Sequence, residues 1–220
     1  MDSENFEKKS KTESLNKFDG ILIPGGFGKR GTEGKINVIN FARKRKIPFL
    51  GICLGMQLMV IEYARNEAGI VDANSEEFEE DNPEKSGEKI IYHLSHWFKD
   101  QKLEVREKIQ DKGGTMRLGA YPAQIKKGSI AHSIYRTDSI SERHRHRYEV
   151  NSKYKTNLEK KGLCFSGFSV DGQLPEIIEI TSHPFFIGVQ FHPELKSKPF
   201  EPHPLFSSFI KAALEQTRLV

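Results

Sequence analysis

The sequence predicts an α/β fold with a parallel sheet that antiparallel strands extend in the second half of the chain. Short, branched apolar runs alternate with segments of helical periodicity between Phe18 and Ala68, and glycines stand at their junctions. Beyond Gly113, short apolar runs follow one another with glycine-rich turns between them. Alternating strands and helices form crossovers between parallel strands, whereas consecutive short strands commonly pair antiparallel.

The first predicted strand is the run Phe18–Pro24, which is short, rich in branched side chains and bounded by glycine and proline, as in a parallel strand buried on both faces. A helix follows from Gly34, where Ile36 and Ile39 lie at helical spacing. Residues 43–46 are all basic and fall in its last turn, where cations interact favourably with the helix dipole. This basic cluster indicates a solvated helix end and not a phosphate site.

A second strand and helix follow directly, over Ile47–Ile52 and Leu54–Ala68. Residues 74–81 are acidic, and residues 90–98 are compatible with a strand or an edge segment. The remaining strands are expected over residues 115–121, 143–150, 163–170, 177–181 and 185–191, and an amphipathic helix over residues 204–217.

Composition excludes several classes of protein. The 34 Lys and Arg residues and 30 Asp and Glu residues are interspersed, so the net charge of +4 does not suggest nucleic-acid binding. No apolar run is long enough for a membrane span, and the polar start lacks the apolar stretch of a secretory signal. Two cysteines cannot form a disulfide framework, so a reducing cytoplasm is the expected compartment.

The chain is expected to form one domain, because 220 residues is a common single-domain length. We divide it into a polar N-terminal segment, residues 1–18, and the domain proper, residues 19–217. The first strand comes late for a complete domain, so the chain is expected to be a fragment.

Cys53 stands in a G-x-C-x-G pattern between Gly51 and Gly55, at a predicted junction from strand to helix. This is the cysteine version of a nucleophile elbow, in which the sharp turn needs neighbours without side chains. A sulfur at a helix N-terminus meets the dipole and free N–H groups, which favour the reactive thiolate. A buried structural cysteine is the alternative.

His192 is the candidate general base, because it follows an apolar strand and Glu194 lies two residues on. In an extended chain that carboxylate faces the same side and can hold the imidazole in one tautomer. His144 and His146 form an H-x-H pair, but without a clustered acidic or cysteine partner a metal site is not expected.

Consecutive glycines in Pro24–Gly28 follow the first predicted strand. Backbone N–H groups of such a loop can turn inward as a nest that stabilises an oxyanion or a phosphate. The loop matches neither common nucleotide-binding pattern, so an oxyanion is the favoured ligand.

The order of these features along the chain is the glycine loop, the cysteine elbow and then His-Pro-Glu near the C-terminus. This order resembles the class I glutamine amidotransferases, and specifically the glutaminase domain of the CTP synthase family. The similarity runs from about Asp19 to Leu214. The segments that carry it are Gly25–Gly31, Gly51–Gln57, Ala73–Phe78, Gly113–Gly119, Arg143–Asn151 and Gln190–Glu194.

The resemblance implies a three-layer, flavodoxin-like fold with a mostly parallel central sheet and additional antiparallel strands. It also implies a triad of Cys53, His192 and Glu194. The glutamine-binding residues that it implies are Gly26, Leu54, Gly55, Met56, Gln57, Glu77 and Arg147. From the sequence alone, Glu77 and Arg147 would be solvated members of an acidic run and a basic strand.

By the same resemblance, the reaction is hydrolysis of L-glutamine to L-glutamate and ammonia, which aminates UTP to CTP in pyrimidine nucleotide biosynthesis. ATP, Mg²⁺ and UTP belong to a synthetase domain outside this chain, GTP is an allosteric activator, and the full-length enzyme is a tetramer. No metal or other cofactor is expected in this chain. One strand-helix unit of the domain is expected to precede residue 1.

Two other functions stay open. The chain is a noncatalytic fragment of the same enzyme if it cannot fold or assemble without the missing parts. A cysteine peptidase-like hydrolase of the same fold group is disfavoured, because it would leave Glu77 and Arg147 unexplained.

Overall fold

The structure is a computed structural model, which describes residues 1–78, 87–93, 96–99, 102–105 and 116–217. Predictions that fall on residues 79–81, 94, 95 and 115 lie outside this part of the chain. The strands are β1 (Ile21–Ile23), β2 (Phe49–Ile52), β3 (Asn74–Ser75), β4 (Lys89–His93), β5 (His96–Lys99), β6 (Lys102–Val105), β7 (Arg117–Ile125), β8 (Ser139–His146), β9 (Tyr148–Val150), β10 (Cys164–Ser169), β11 (Pro175–Glu179) and β12 (Phe186–Val189). The α-helices are α1 (Thr32–Arg45), α2 (Leu54–Asn66), α3 (Ile130–Tyr135), α4 (Lys155–Lys160) and α5 (Pro204–Thr217).

Seven strands form the main sheet, in the order β1-β2-β12-β11-β10-β7-β8. Strand β2 pairs in parallel with β1 on one side and with β12 on the other. The four other neighbouring pairs are antiparallel. The sheet is therefore mixed, with a smaller parallel part than expected, because short turns between consecutive strands such as β10 and β11 permit only antiparallel pairing.

Helices cover both faces of this sheet, which confirms the three-layer α/β architecture. Helices α1 and α2 pack together on one face, where Ile39 and Met59 are fully buried. Helices α3 and α5 pack together on the other, where Ala131 and Leu205 are fully buried. Since side chains alternate along a strand, each central strand contributes to both cores.

A second sheet of three strands lies beside the main one, in the order β3-β4-β9. Strands β3 and β4 run parallel, and β9 pairs antiparallel with β4. The carboxyl ends of β3 and β4 therefore lie at the same edge as the start of β9. The continuous strand expected over residues 143–150 is instead split at Arg147 into β8 and β9, which belong to different sheets.

The N-terminal segment carries two 3₁₀ helices, Ser3–Phe6 and Lys9–Lys17, that pack on α1. Phe6 and Leu15 are its buried apolar side chains and join the core on that face. The sequence did not predict this packing, because the segment is mostly polar and each 3₁₀ helix buries only one apolar side chain.

The expected helix over residues 204–217 is confirmed as α5, whereas the short helices α3 and α4 were not predicted. Each spans six residues, which is too few to show a helical period in the sequence. Among the helices in the described part of the chain, none combines the length and apolar character that a membrane crossing requires.

Candidate active site

Cys53 occupies a sharp turn between β2 and α2. Its backbone has φ 52° and ψ −104°, a positive-φ conformation outside the left-handed helical region that is rare for a residue with a side chain. The Cys53 N–H donates to the Val189 carbonyl at 2.7 Å, and the Cys53 carbonyl accepts from the Gln57 N–H at 3.1 Å. These two bonds anchor the strained residue to the sheet and to the first turn of the helix, as the elbow pattern predicts.

The two glycines of the G-x-C-x-G pattern are required by close backbone contacts. A Cβ on Gly51 would lie 2.8 Å from the Gly55 carbonyl, and a Cβ on Gly55 would lie 2.3 Å from the Ile23 carbonyl oxygen. Both contacts are too short for any side chain. The spacing of glycines around Cys53 thus has the steric cause that the sequence predicts.

His192 and Glu194 form a hydrogen-bonded pair, with 2.6 Å between His192 Nδ1 and Glu194 Oε1. The His192 N–H donates to the Arg143 carbonyl, which fixes the backbone of the histidine beside β8. Burial is the largest single influence and acts to raise the pKa of Glu194, but the His192 hydrogen bond, a backbone hydrogen bond and the charges of His192 and His203 together hold that pKa below its usual value. Glu194 is therefore an ionised acceptor for the imidazole.

The His192 imidazole and the Cys53 side chain both lie against Gly25 of the glycine loop. A Cβ on Gly25 would lie 2.7 Å from His192 Cε1 and 3.5 Å from Cys53 Cβ, so only glycine lets the loop pass beside both. Nε2 of His192 is buried and has no hydrogen-bond partner among the described residues. With Nδ1 held by Glu194, this nitrogen is the one that can exchange a proton with the site.

The expected predisposition of Cys53 toward the thiolate is wrong for this structure. Burial raises the pKa of the Cys53 thiol to about 12. The Leu54 N–H lowers that pKa, as a helix N-terminus should, whereas the carboxylates of Glu149, Glu77 and Glu194 raise it further. The thiol is therefore neutral at rest, and a base must take its proton during the reaction.

Two glutamine side chains connect Cys53 to the start of β9. Gln190 Nε2 donates to Cys53 Sγ over 3.8 Å, and Gln190 Oε1 accepts from Gln57 Nε2 over 3.3 Å. Gln57 Nε2 also donates to the Tyr148 carbonyl over 2.9 Å. The family resemblance assigned Gln57 to the site, whereas Gln190 was missed, although it lies only two residues before His192.

The glycine loop is tied to Glu77 by a hydrogen bond from the Gly28 N–H to Glu77 Oε1, over 2.7 Å. Glu77 lies in the 3₁₀ turn Glu76–Phe78 that follows β3, and it is half-buried. Glu77 therefore contacts the glycine loop of the site and is not a solvated member of an acidic run. Gly26 lies in the same loop, where a Cβ would lie 3.3 Å from the Leu54 side chain.

Arg147 lies between β8 and β9, at the edge of the small sheet where β3 ends. Glu77 follows the end of β3, so the topology brings both residues to this edge. The Gln57 contact with Tyr148 joins that edge to the first turn of α2, directly after Cys53. Of the other expected glutamine-binding residues, Leu54, Gly55 and Met56 are buried in that first turn, and Gln57 is also buried.

A wholly buried charged cluster lies behind the site and was not predicted. Arg117 of β7 donates to Glu176 over 2.6 Å and to Glu149 over 3.3 Å. His144 and His146 hydrogen-bond each other over 2.8 Å. The H-x-H pair is therefore part of an internal polar network, and the alternation of buried and exposed residues along β8 points both rings inward.

Desolvation controls the charges of this cluster. Burial and the Arg117 cation hold the pKa values of His144 and His146 well below the ordinary value. Burial raises the pKa of Glu149 to about 8, although Arg117 acts to lower it, and burial likewise raises the pKa of Glu176. The imidazoles are therefore neutral, and one buried cation faces two carboxyl groups.

No metal centre emerges from the described residues, where no group of three or more His, Cys, Asp and Glu side chains is placed to hold an ion. The arrangement that does emerge is a cysteine on a strained elbow with the Leu54 N–H directed at its thiol, an oriented imidazole with one available nitrogen, and a glycine loop that lies close to both. It can support nucleophilic attack on a carbonyl carbon.

Comparison with known proteins places this site in a family. A model of the glutamine amidotransferase class-I family matches residues 2–212. CTP synthases of Maricaulis maris and Azospirillum brasilense are each 59% identical to this chain over 220 residues, and the alignments cover all of the chain and 40% of each relative. The chain thus spans well under half the length of these curated relatives.

Comparison with solved structures gives matches to proteins of the same fold. The Trypanosoma brucei CTPS glutaminase domain with bound acivicin matches with a TM-score of 0.84 and 40% identity, over 98% of this chain and 79% of that one. A putative GMP synthase component from Thermoplasma acidophilum matches with a TM-score of 0.59 at 15% identity, over 94% of this chain and 79% of that one, and shows a shared fold alone. These matches confirm the expected class I glutamine amidotransferase fold. The chain belongs to the class-I glutamine amidotransferase family and, within it, to the glutaminase domains of CTP synthases.

Proposed function

We propose that this chain hydrolyses L-glutamine to L-glutamate and ammonia through a triad of Cys53, His192 and Glu194. One observation carries the proposal above the others. His192 has Nδ1 bound to Glu194, its buried Nε2 has no hydrogen-bond partner among the described residues, and its ring lies against Gly25, as Cys53 does. An oriented imidazole beside a cysteine elbow is the arrangement that acyl transfer by a thiol requires.

In the first half of the reaction, Nε2 of His192 takes the Cys53 proton as the sulfur attacks the side-chain amide carbon of glutamine. The backbone N–H groups of Gly26 and Leu54 stabilise the oxyanion that forms. The C–N bond then breaks, and His192 returns the proton to the leaving amine, which departs as ammonia. Cys53 is left as a γ-glutamyl thioester.

In the second half, His192 removes a proton from water, which attacks the thioester carbon. The C–S bond breaks, and the sulfur recovers its proton from His192 as glutamate leaves. Because burial holds the pKa of the Cys53 thiol at about 12, each cycle begins and ends with the neutral thiol. Proton transfer to His192 is thus coupled to attack and does not precede it.

The charged ends of the substrate are proposed to meet Glu77 and Arg147. A carboxylate such as Glu77 pairs with the α-ammonium group, and the guanidinium of Arg147 can hold the α-carboxylate with two parallel hydrogen bonds. The proposal is supported by the shared edge of the small sheet and by the contact between Glu77 and the glycine loop. Gly55, Met56 and Gln57 contribute through the helix turn that they build.

The ammonia is proposed to aminate UTP to CTP in a synthetase domain that binds ATP and Mg²⁺, within a tetrameric cytoplasmic enzyme that GTP activates. The similarity to CTP synthases supports this role. Each of these relatives has a further part, outside the 40% that aligns with this chain, that can hold such a domain. No residue of this chain is assigned to GTP.

The test is glutamate release by the purified chain, combined with labelling by 6-diazo-5-oxo-L-norleucine, a glutamine analogue with an electrophilic carbon. We expect glutamate production and label on Cys53. The Cys53→Ser variant should fold normally and lose both, because a hydroxyl is a far poorer nucleophile. The Cys164→Ala variant, which changes the other thiol, should retain both.

Two outcomes would contradict the proposal. Substantial glutamine hydrolysis by the Cys53→Ser variant would overturn the assignment of the nucleophile. A folded chain that neither releases glutamate nor takes the label would favour the noncatalytic alternative.

A further inference from the structure

We propose that Gln190 is a positioning residue of the glutaminase site, which holds the Cys53 sulfur through its side-chain amide and stabilises the thiolate as it forms. The inference rests on the proposed function, because it concerns the same nucleophile. It begins from a contact that the triad does not include, the 3.8 Å approach of Gln190 Nε2 to Cys53 Sγ.

The hydrogen bonds fix which end of the Gln190 amide faces the sulfur. Gln57 Nε2 has two hydrogens, and they are directed to the Tyr148 carbonyl and to Gln190 Oε1. Since a carbonyl can only accept, the Gln57 nitrogen must point toward Tyr148, and Gln190 must present its oxygen to Gln57. The NH₂ group of Gln190 is then left facing Cys53.

The backbone of Gln190 is held as firmly as its side chain. Its N–H donates to the Glu176 carbonyl over 2.9 Å, and the preceding residue, Val189, accepts from the Cys53 N–H over 2.7 Å. The side chains of Gln190 and Gln57 are buried. An amide held at both ends keeps its donor on the sulfur without a loss of side-chain entropy during the reaction.

The surroundings of Cys53 disfavour a negative charge on its sulfur, so a hydrogen-bond donor such as the Gln190 amide matters for forming the thiolate. Burial opposes a negative charge on Cys53 most strongly, and the Glu149, Glu77 and Glu194 carboxyl groups oppose it further when they are ionised. Besides the Leu54 N–H, the Gln190 amide is a donor that touches the sulfur directly. A hydrogen bond to a charged group is stronger than one to a neutral group, so this contact strengthens as the thiolate forms.

The experiment measures alkylation of Cys53 by iodoacetamide as a function of pH, between about pH 6 and 10, in the full chain. Peptide mass spectrometry reports Cys53 and Cys164 separately, so Cys164 is an internal reference in every sample. This readout needs no glutamine turnover. A failure of the proposed hydrolysis therefore remains distinguishable from a failure of the Gln190 assignment.

Because these pH values all lie below the Cys53 pKa of about 12, the rate of alkylation reports how readily the thiolate forms. We expect Gln190→Met to slow alkylation of Cys53 by about tenfold at each pH. The rate at Cys164 should not change. Gln190→Glu keeps the size and the Gln57 contact but replaces the donor with a carboxylate, so it should slow alkylation of Cys53 by a larger factor. The matched control is Gln124→Met on the exposed face of β7, which should leave the Cys53 profile unchanged.

If Gln190→Met melts without cooperativity, Gln190→Glu decides the question, because its shape is nearly that of the parent. A folded Gln190 variant with the parental Cys53 profile would overturn the proposal. An equal loss of alkylation at Cys53 and Cys164 would also overturn it, since that result indicates a general change in the fold.

Discussion

Nδ1 of His192 lies 2.6 Å from Oε1 of Glu194, and this contact decides which nitrogen of the imidazole is available to Cys53. The carboxylate is partly exposed, and although burial acts to raise its pKa, the His192 hydrogen bond together with the other nearby contacts holds the pKa of Glu194 below its usual value. An ionised Glu194 accepts the Nδ1 proton, so Nε2 carries the lone pair that serves as the base.

Replacing Glu194 with Gln should test this tautomer control. The amide can present an N–H to Nδ1 and so favour the wrong tautomer, with Nε2 protonated. We expect kcat for glutamate release to fall on the order of 10²-fold with little change in KM. Steady-state kinetics of glutamate production check it, with exposed Glu201→Gln as the control. An unchanged kcat would mean that Glu194 does not orient the base.

The substrate-binding assignment predicts a change in KM. Arg147→Lys keeps the charge but loses the paired geometry of the guanidinium, so KM for glutamine should rise about tenfold if one charge-assisted hydrogen bond is lost. Glu77→Gln should act on the ammonium end in the same direction. The exposed Arg143→Lys on β8 is the matched control. If both site variants leave KM at the parental value, the substrate's charged end binds elsewhere.

The buried cluster predicts a large effect on stability. Arg117 is the cation that faces both Glu149 and Glu176, and all three side chains are buried. Arg117→Met leaves two carboxyl groups without that cation and should lower the free energy of unfolding by about 3–5 kcal/mol.

Urea denaturation followed by circular dichroism measures this loss, with Arg143→Met as an exposed control in the neighbouring strand. A loss as small as that of the control would show that Arg117 contributes little to holding these carboxyl groups inside the fold.

The same cluster predicts a stability optimum near pH 6.5. His144 and His146 have lowered pKa values, so the unfolded chain binds more protons as the pH falls below about 6.5, and the folded state loses stability there. Glu149, with its pKa raised to about 8, keeps its proton in the folded state. The contribution of Glu149 to the free energy of unfolding should therefore fall as the pH rises from about 4.5 toward 8, by up to about 1.4 kcal/mol per pH unit for one proton.

Urea denaturation at a series of pH values tests this prediction. Above about pH 7.5 the histidines of the unfolded chain are also neutral, so the remaining alkaline loss belongs to the carboxyl groups. Glu149→Gln leaves Arg117 facing one carboxylate and should flatten that loss. An alkaline limb of the same slope in the parent and in this variant would contradict the assignment to Glu149.

The elements near the nucleophile were predictable from the sequence because local chemistry determines them. The G-x-C-x-G pattern after a strand predicts an elbow because its sharp turn leaves no room for side chains at the two glycines. Gly51 and Gly55 each lie against backbone atoms, as this explanation requires. His192 and Glu194 are two residues apart, so their pairing is also local. The short helices α3 and α4 lack the length for a periodic signal.

Long-range features were not predictable. The thiolate expected at a helix N-terminus is disfavoured because Cys53 is buried and faces carboxylates from distant parts of the chain. Arg117, Glu149 and Glu176 come from three strands, and nothing in the sequence shows that they meet inside the fold. Gln190 could have been found from its spacing to His192, but its contact with the sulfur depends on the pairing of β12 with β2.

The most direct test of the central claim is a search for the γ-glutamyl thioester on Cys53. The chain is mixed with glutamine, quenched rapidly in acid, digested and analysed by mass spectrometry. The account predicts a glutamyl adduct on the Cys53 peptide, none on the Cys164 peptide, and none in the Cys53→Ser variant. If the chain releases glutamate but carries no adduct on Cys53, or carries the adduct on Cys164, the account is contradicted.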